Sequence, residues 1–497
     1  MSTRRLSLLA CCVALLAGCS EAPVYKVPKI PEPAAYKGDT AIWQPGKPAD
    51  DRPRGDWWRE YKDPSLDDLV SRLDRANPDL AAALGHFEEA TAYAAQARSG
   101  YFPTVSAAAA ATRNSQSLGY KSIMHRSQPN YYNDNVAGLI ANYEVDLWGR
   151  VRNQVAAGEA GAQAAAAELE SVHLSLRVQL VNDYLMLRML DAQSKLMQGE
   201  LAAYGKALQL TQNRFKGGID SRLAVSRAQV QLETAQAKYA DIAGNRALYE
   251  HAIATLVGES ASTFSIAPAV VDIQVPAIPV GVPATLLQRR PDIAAAERRL
   301  AEANAQVGVA KSVFYPAINL MAAAGYQSTQ QSAWLTAPNL FWSIGPSALL
   351  TIFDGGRRRA EVDQAQAAFA VAGARYRSTV LTAFQEVEDN LSLLSNLTDE
   401  SKSLNDAVSD TQRTLDIAMN RYREGIASYL EVVTAQAAAE QVQLDALNVR
   451  RRRLSASVDL IRALGGGWSR DGTQASASAG SGAVHVANSL NNNKKQD

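Results

Sequence analysis

The residue types that most often perform catalysis do not form a catalytic motif in this sequence. The 497 residues contain no G-x-S-x-G, H-E-x-x-H or C-x-x-C motif and no phosphate-binding glycine loop. The five histidines share no metal-ligand spacing, and the seven methionines are scattered. Basic and acidic residues are equal at 50 each, so no charge footprint indicates a nucleic-acid partner. The sequence therefore predicts a protein that is not an enzyme and has no metal or cofactor.

One cluster of side chains has the composition of a gate. Arg421, Tyr422, Leu430, Glu431 and Thr434 flank a glycine turn between two long helical segments. If several copies form a tube, these residues converge as rings at its far end. Rings of charged and bulky apolar groups are the means by which pores select and shut.

Two simpler interpretations of the same residues stay open. Ser428 and Glu431 have the spacing of a capping box, in which two side chains satisfy the free N–H groups of a helix end. Leu430 also fits an ordinary position of the apolar helical seam. Capping and gating are compatible.

The start of the chain has the pattern of a lipoprotein signal. All three cysteines lie in the first nineteen residues, and an apolar run ends at Leu16-Ala17-Gly18-Cys19. Cleavage before Cys19 would free that residue for lipidation. The mature chain would then have no free thiol, which excludes disulfides and cysteine-ligated metals. Ser20, where lipoproteins of the inner membrane typically have aspartate, favours the outer membrane.

The second half of the chain repeats the first. Residues 78–103 match residues 291–316 at a constant offset of 213. Further on, residues 213–229 match residues 420–436 at an offset of 207. The repeat predicts one architecture built twice rather than several unrelated domains.

Between the matched blocks, each half contains a long apolar seam. In the first half it comprises Leu187, Leu190, Ser194, Met197, Leu201, Tyr204, Leu208, Thr211 and Phe215, each with a counterpart 207 positions later. An uninterrupted spacing of three and four residues indicates a coiled coil. The segment 152–212 has no proline and would span about 90 Å as a helix. One long amphipathic helix in an ordinary bundle is the less favoured alternative.

Glycine and serine mark the far ends of these helices. Gly217, Gly218 and Gly425 follow the last helical turns, where a left-handed residue is favoured. Ser221 and Ser428 lie where the returning helices need an N-cap. Each half is therefore predicted to contain a helical hairpin with a tight tip.

Each half also contains two segments in which apolar and polar residues alternate with a period of two. Residues 105–112 and 136–148 show this pattern in the first half, and residues 318–327 and 344–352 in the second. Apolar and polar faces on strands of about ten residues are typical of transmembrane barrels. Four strands cannot close a barrel, and open edges in lipid are costly. The pattern predicts an oligomer, most simply a trimer; a soluble hairpin packed on a helix is the alternative.

Composition and repeat together predict the organisation of the chain. The segments are a signal peptide at 1–18, a proline-rich lipid-anchored tether at 19–62, a first repeat at 63–260, a linker at 261–290, a second repeat at 291–468 and a disordered tail at 469–497.

Motifs along the chain resemble those of the TolC-like outer-membrane efflux proteins, specifically the lipidated OprM and NodT type. They are Trp57-Trp58 with Asp63-Pro64, Arg290-Pro291-Asp292-Ile293, Tyr315-Pro316, Asp354-Gly355-Gly356, Asn420-Arg421-Tyr422 and Leu464-Gly465-Gly466-Gly467-Trp468. The match covers nearly everything from Cys19 to Trp468. It is specific because the motifs occur together, in order and on the repeat.

The resemblance implies a mainly α fold with membrane β strands. A homotrimer would form a twelve-stranded β-barrel, four strands per chain, continuous with a helical coiled-coil barrel and flanked by a mixed α/β equatorial region. It would lie in the outer membrane of a Gram-negative bacterium, anchored by lipid at Cys19, with its tunnel projecting into the periplasm.

The implied function is the outer-membrane channel of a tripartite efflux pump for drugs or other toxic small molecules. The implied partners are a periplasmic adaptor protein and an inner-membrane transporter of the resistance-nodulation-division class. The turns that would contact the adaptor contain Gly217, Gly218, Ser221, Gly425 and Ser428.

The resemblance also assigns roles within the tip cluster. Leu430 matches the apolar ring of the family, Glu431 and Thr434 match its two acidic positions, and Arg421 and Tyr422 match residues that link neighbouring helices. Thr434 replaces the usual aspartate and Glu431 is longer than the usual residue. A cation-binding double acidic ring is therefore not implied for this chain.

Two other functions fit parts of the pattern. A conduit for type I protein secretion would use the same tube, but the lipidation signal and the Leu464–Trp468 ending disfavour it. A trimeric coiled-coil lipoprotein without a pore would not interleave its helices twice with strand hairpins. Ion conductance separates a channel from a protein without a pore.

Overall fold

A computed structural model of the chain describes residues 22–28, 30–31, 54–115, 131–276, 278, 290–330 and 334–466. The predicted signal peptide, the lipidation site at Cys19, most of the tether, the centre of the first polar loop and the predicted tail lie outside the described residues. None of the helices in the described ranges combines the length and the hydropathy that crossing a lipid bilayer requires.

The helices and strands follow the same order in both halves. In the first half they are α1 (Pro64–Ala76), α2 (Pro78–Ser99), β1 (Thr104–Ser115), β2 (Tyr131–Glu144), α3 (Arg150–Lys216) and α4 (Arg222–Leu256). In the second they are α5 (Pro291–Ser312), β3 (Ala317–Ser328), β4 (Leu340–Leu349), α6 (Arg357–Arg423) and α7 (Tyr429–Ala463). Helices α3 and α6 both have 67 residues, and α4 and α7 both have 35. The predicted internal repeat is confirmed.

The chain divides into two compact units. The first contains Phe87–Ala165 and Ala296–Tyr376, together with residues 22–28. The second contains Ile30–His86, Ala166–Ala295 and residues 377–466.

The first unit is built around an antiparallel sheet. Its described strands have the order β1-β2-β3-β4, so neighbours in sequence are neighbours in space. Val105 lies opposite Ala141, which lies opposite Ala322, which in turn lies opposite Ile344. Side chains on every second residue share a face.

The register gives the sheet one mostly apolar face and one face that contains most of its small polar side chains. One face contains Val105, Ala107, Leu139, Tyr143, Ile318, Leu320, Tyr326, Trp342 and Ile344. The other contains Ser106, Thr112, Asn142, Asn319, Gln327, Ser343 and Ser347, together with the apolar Val136, Ile140, Met321 and Phe341. The predicted alternation is therefore confirmed. The outer edges of β1 and β4 have no neighbouring strand among the described residues.

The end of strand β2 differs from the sequence prediction. The alternating pattern continues to residue 148, whereas the strand ends at Glu144. Trp148 leaves the strand and stacks on Tyr315, with ring centroids 4.8 Å apart. Its Nε1–H donates to the carbonyl of Pro316 at 2.9 Å. This anchored ring ends the ladder before the apolar pattern ends.

The N-terminal residues of the first unit lie along α5. The hydroxyl of Tyr25 donates to Oε1 of Glu297 at 2.6 Å, and Nδ2 of Asn304 donates to the carbonyl of Pro23 at 2.9 Å. The chain is therefore held on the folded surface close in sequence to Cys19.

The second unit corrects one assignment of the sequence pattern. The composition of residues 19–62 predicts an extended tether, whereas Arg54–Tyr61 form short 3-10 helical turns with a kink at Asp56. Trp57, Trp58 and Tyr61 are buried in the main apolar core. Burying three large aromatic rings outweighs the cost of ordering this short segment. The tether thus ends before these residues.

The long helices of the second unit pack through the predicted seams. Leu190, Met197 and Tyr204 of α3 are buried against Ala235 and Ile242 of α4. In the second half, the corresponding core consists of Val387, Leu391, Leu394 and Leu397 of α6 with Val449, Ala456 and Leu460 of α7. Phe215, the last residue of the first seam, is 44% exposed.

A buried ion network fixes the start of the predicted linker on α3 and α4. The carboxylate of Asp191 accepts from Arg188 at 3.0 Å, from Arg246 at 2.7 Å and from the N–H of Ala269 at 3.1 Å. Arg188 also donates to the carbonyl of Ala267 at 2.9 Å. The linker is therefore ordered here by charge-assisted hydrogen bonds.

We expect Asp191→Ala to lower the free energy of unfolding by about 3–5 kcal/mol, because it leaves buried arginines without their carboxylate. Asp410→Ala is the matched control, since Arg413–Asp410 has the same spacing but side chains 70% and 69% exposed. It should cost under about 1 kcal/mol. Thermal unfolding in detergent measures both, and equal losses would contradict the network's role.

Candidate functional site

Two glycine turns join the long helices to their return helices. Gly218 and Gly425 have φ of +73° and +79°. The next N–H in each case, that of Ile219 or Ile426, donates to the carbonyl five residues back at 2.9 Å. This is the left-handed helix end that the sequence predicts. Gly217 lies one residue earlier and continues the helix, since its N–H bonds four residues back at 3.0 Å.

The return helices are capped differently. Oγ of Ser221 accepts from the N–H of Ala224 at 3.3 Å. Ser428 is the N-cap of α7, but its side chain makes no capping hydrogen bond. The N–H of Glu431 donates to the carbonyl of Ser428 instead, at 3.1 Å. The capping-box interpretation of this pair is therefore wrong.

Glu431 pairs with Arg421 across the second tip. Its Oε2 lies 3.4 Å from a guanidinium nitrogen of Arg421, and both side chains are about half exposed, at 48% and 50%. The carboxylate that would have capped α7 thus joins the end of α6 to the start of α7. An exposed ion pair of this kind contributes little to stability.

Tyr422 is buried at the centre of a hydrogen-bond network. Its hydroxyl donates to Oδ2 of Asp220 at 2.6 Å and lies 2.9 Å from Oγ1 of Thr211. Nε of Arg214 donates to the same carboxylate oxygen at 2.8 Å, and the guanidinium lies 4.6 Å from the centre of the Tyr422 ring. Arg214 also donates to the Tyr422 carbonyl at 3.0 Å. The network joins the end of α6 to α3 and the first turn.

The surroundings of Tyr422 hold its hydroxyl in the neutral form. Burial and the hydrogen bond to Asp220 raise the pKa of Tyr422 to about 12. Tyr429 packs beside it with ring centroids 5.4 Å apart, and burial raises the pKa of Tyr429 to about 12 as well. The Tyr422 hydroxyl is therefore a hydrogen-bond donor to Asp220 at neutral pH.

The other residues of the predicted cluster lie at the surface. Leu430 is 50% exposed, and Thr434 is exposed with its Oγ1 donating to the Leu430 carbonyl at 2.8 Å. The structure therefore divides the predicted cluster into four exposed residues and one buried residue. Arg421, Leu430, Glu431 and Thr434 are exposed, whereas Tyr422 is buried against Thr211 of the predicted seam and against Arg214 and Asp220, which the sequence analysis did not identify.

The missed residues differ in how visible they are in the sequence. Arg214 lies 207 positions before Arg421, so the repeat points to it. Thr211 belongs to the predicted seam, but its counterpart Ala418 has no hydroxyl, so the seam does not mark it as a hydrogen-bond partner. Asp220 corresponds to Ala427, so no repeat signal marks it. Their role depends on a contact between the two halves that only the fold creates.

The two tips have the same backbone conformation but different side chains. Phe215 is the counterpart of Tyr422 and is 44% exposed, whereas Tyr422 is fully buried. Leu223, the counterpart of Leu430, is 58% exposed.

Within the described ranges, no three histidine, cysteine or acidic side chains are grouped closely enough to hold a metal ion.

We expect ultraviolet titration to detect Tyr422 ionising near pH 12, as the difference between wild type and Tyr422→Phe. Because the folded-state pKa is raised, the network's stabilisation is complete below the unfolded value near 10 and is lost as the pH rises through about 12. Asp220→Asn removes the negative charge that helps to raise the pKa, although its amide oxygen can still accept the hydrogen bond, so it should move this ionisation to lower pH. Ionisation unchanged by Asp220→Asn would contradict the assignment.

Comparison with known proteins places both halves of the chain in one group. Residues 69–259 and 282–466 match the family model described as outer membrane efflux protein. The chain is 30% identical over 479 residues to a probable efflux pump outer membrane protein, TtgC, of Pseudomonas putida, covering 96% of this chain and 98% of that protein. It is 31% identical over 476 residues to the pyoverdine export outer membrane protein OpmQ of Pseudomonas aeruginosa, covering 95% and 98%.

A solved structure has the same fold. The outer-membrane channel OprN superposes with a TM-score of 0.84 at 30% identity. The superposition covers 90% of this chain and 100% of that chain.

Proposed function

Because the chain belongs to the outer membrane efflux protein family, whose solved members are outer-membrane channels, we propose that three copies assemble into one such channel. The chain is the outer-membrane component of an efflux system. The channel is passive, and the energy for export comes from a transporter in the inner membrane.

The observation that carries the proposal is the pair of open edges on the sheet. Strands β1 and β4 pair only with their inner neighbours among the described residues. In lipid, each unpaired backbone group costs several kcal/mol, so the edges need partners. Three copies supply twelve strands, enough for a lumen, with the apolar face toward lipid and the polar face toward water.

The network around Tyr422 is proposed to hold the second hairpin closed. Tyr422 and Arg214 join α6 to α3, and their partner Asp220 belongs to the first turn. When three copies converge, Arg421, Leu430 and Glu431 face the lumen as rings of charge and apolar surface. Moving α6 and α7 away from α3 breaks the Tyr422 contacts and widens these rings.

The proposed cargo rests on the named relatives, and the proposed adaptor contact rests on the exposed residues of the two helix tips. Drugs and other amphipathic toxicants are the proposed cargo, in keeping with relatives named for the efflux of antibiotics and of toluene. A periplasmic adaptor would contact the exposed turns around Gly218 and Gly425, where Ile219 and Ile426 are 67% and 66% exposed. The transporter would be of the resistance-nodulation-division class, and Cys19 would carry the lipid anchor.

We expect Leu430→Ala to raise single-channel conductance several-fold in planar bilayers, because it removes the apolar ring from the narrowest part of the closed tip. Leu223→Ala is the control, since Leu223 has the same position in the first repeat and similar exposure. It should leave the conductance unchanged. Equal conductance of wild type and Leu430→Ala would remove Leu430 from the gate.

We expect Tyr422→Phe and Asp220→Ala each to raise the open probability of the channel, since each removes the hydrogen bond between these two side chains from the closed state. A bond to a charged group contributes about 1.5–3 kcal/mol. The double variant should therefore open little more than either single variant. If the two changes in the closed-to-open free energy simply add in the double variant, Tyr422 and Asp220 do not stabilise the closed state through a shared hydrogen bond.

A further inference from the structure

We infer that β4 of one copy pairs with β1 of the next in a register that places Ser347 opposite Ala110. The inference rests on the proposed trimer and adds which residues meet where the copies join. Its basis is the internal repeat, because one chain already contains a joint of the same kind between β2 and β3.

The two halves of the sheet are copies in register as well as in sequence. Adding 213 to a β1 residue gives its β3 counterpart, and adding 207 to a β2 residue gives its β4 counterpart. The pair Thr104–Asn142 becomes Ala317–Leu349 by this rule, and Ala317–Leu349 is an observed pair. The repeat therefore preserves the pairing within each hairpin.

The same offsets applied to the β2–β3 pairing within the chain predict the β4–β1 pairing between copies. In the chain, β2 of the first repeat pairs with β3 of the second, and Ile140 lies opposite Ala323. Adding 207 to Ile140 gives Ser347, and subtracting 213 from Ala323 gives Ala110. Ser347 and Ala110 lie on the polar face of the sheet. A slip of one residue would turn one strand's polar side chains toward lipid.

The segment after β4 lacks the partner that its counterpart has. The N–H of Val145, just after β2, donates to the carbonyl of Ile318 at 2.8 Å. The counterpart of Val145 is Ile352, which is 91% exposed, and β4 ends at Leu349. By the same rule, the N–H of Ile352 donates to the carbonyl of Val105 in the next copy.

Exposed aromatic rings lie beside this predicted joint. Tyr315 stacks on Trp148 within the chain and is 37% exposed. Its counterpart, Phe102, is 71% exposed, and Phe353, which the register places near it in the next copy, is 87% exposed. The residue directly opposite Phe102 in this register is Gly355, the counterpart of Trp148. Phe353 is a diagonal neighbour two positions along, so pairing of β4 with β1 would cover part of both rings.

The helices of the first unit also include a close contact in one repeat whose counterpart in the other repeat is exposed. A Cβ on Gly308 of α5 would meet the Asn153 side chain of α3, so the two helices approach closely there. The counterparts are Ala95 of α2 and Ala360 of α6, and both are exposed. Small residues at both positions permit an equally close approach between copies.

Disulfide formation between copies tests the register. Because Val145 and Ile318 are hydrogen-bonded, Ile140–Ala323 and its counterpart Ser347–Ala110 are non-hydrogen-bonded pairs. Their Cα atoms are expected to be about 4.5 Å apart, which a disulfide can span. The full-length variant Ser347→Cys with Ala110→Cys is oxidised in membranes and separated by non-reducing electrophoresis. The controls combine Ser347→Cys with Ser106→Cys or with Asn114→Cys, about 13 Å out of register on the same face.

We expect most of the Ser347–Ala110 variant to run as covalent dimers and trimers that reductant returns to monomers, and the controls to stay monomeric. Native mass is measured on the same samples. Trimers that cross-link only in a control pair, or in none of the three, overturn the register and leave the trimer standing. A monomeric native mass overturns the trimer and the register with it.

Discussion

The backbone hydrogen bonds at the two edges of the sheet impose the constraint on which the rest of the structure depends. Strands β2 and β3 have partners on both sides, whereas β1 and β4 each lack one among the described residues. An edge in water can bond to solvent, but an edge in lipid cannot. The apolar face of this sheet, with Trp342 73% and Ile344 75% exposed, indicates lipid. In the proposed trimer, a partner for each edge comes from another chain.

The internal repeat meets this constraint economically, because one joint serves within the chain and between chains. The same repeat also gives the helical hairpins equal lengths and equal glycine turns. Side chains then distinguish the two tips. Tyr422 is buried and tied to Asp220, whereas its counterpart Phe215 is exposed and makes no such tie. A conformational change confined to one hairpin can therefore arise from a symmetric backbone.

Much of this fold is visible in the sequence because it depends on periodicity. The seam from Leu187 to Thr211 and the alternation around Leu139 are local patterns, and both predict the elements that form. Gly218 and Gly425 are visible for the same reason, since left-handed helix ends favour one residue type. These features need no knowledge of which segments meet.

The features that the sequence did not reveal depend on contacts between distant segments. Trp57 and Trp58 follow a proline-rich stretch, and only the core that receives them shows that they are buried. Ser428 and Glu431 have capping spacing, but Arg421 from the preceding helix attracts the carboxylate. Asp220 is ordinary in its turn until Tyr422 of the other half bonds to it. Long-range charge and burial decided these three cases.

Hydrogen–deuterium exchange of the native protein in detergent is the most direct test of the central claim, because it reports whether edge amides are bonded. Paired edges predict that peptides from Thr104–Ser115 and Leu340–Leu349 exchange as slowly as those from Tyr131–Glu144 and Ala317–Ser328. Fast exchange confined to the two outer strands would contradict the account, since those strands would then lack partners in the native protein.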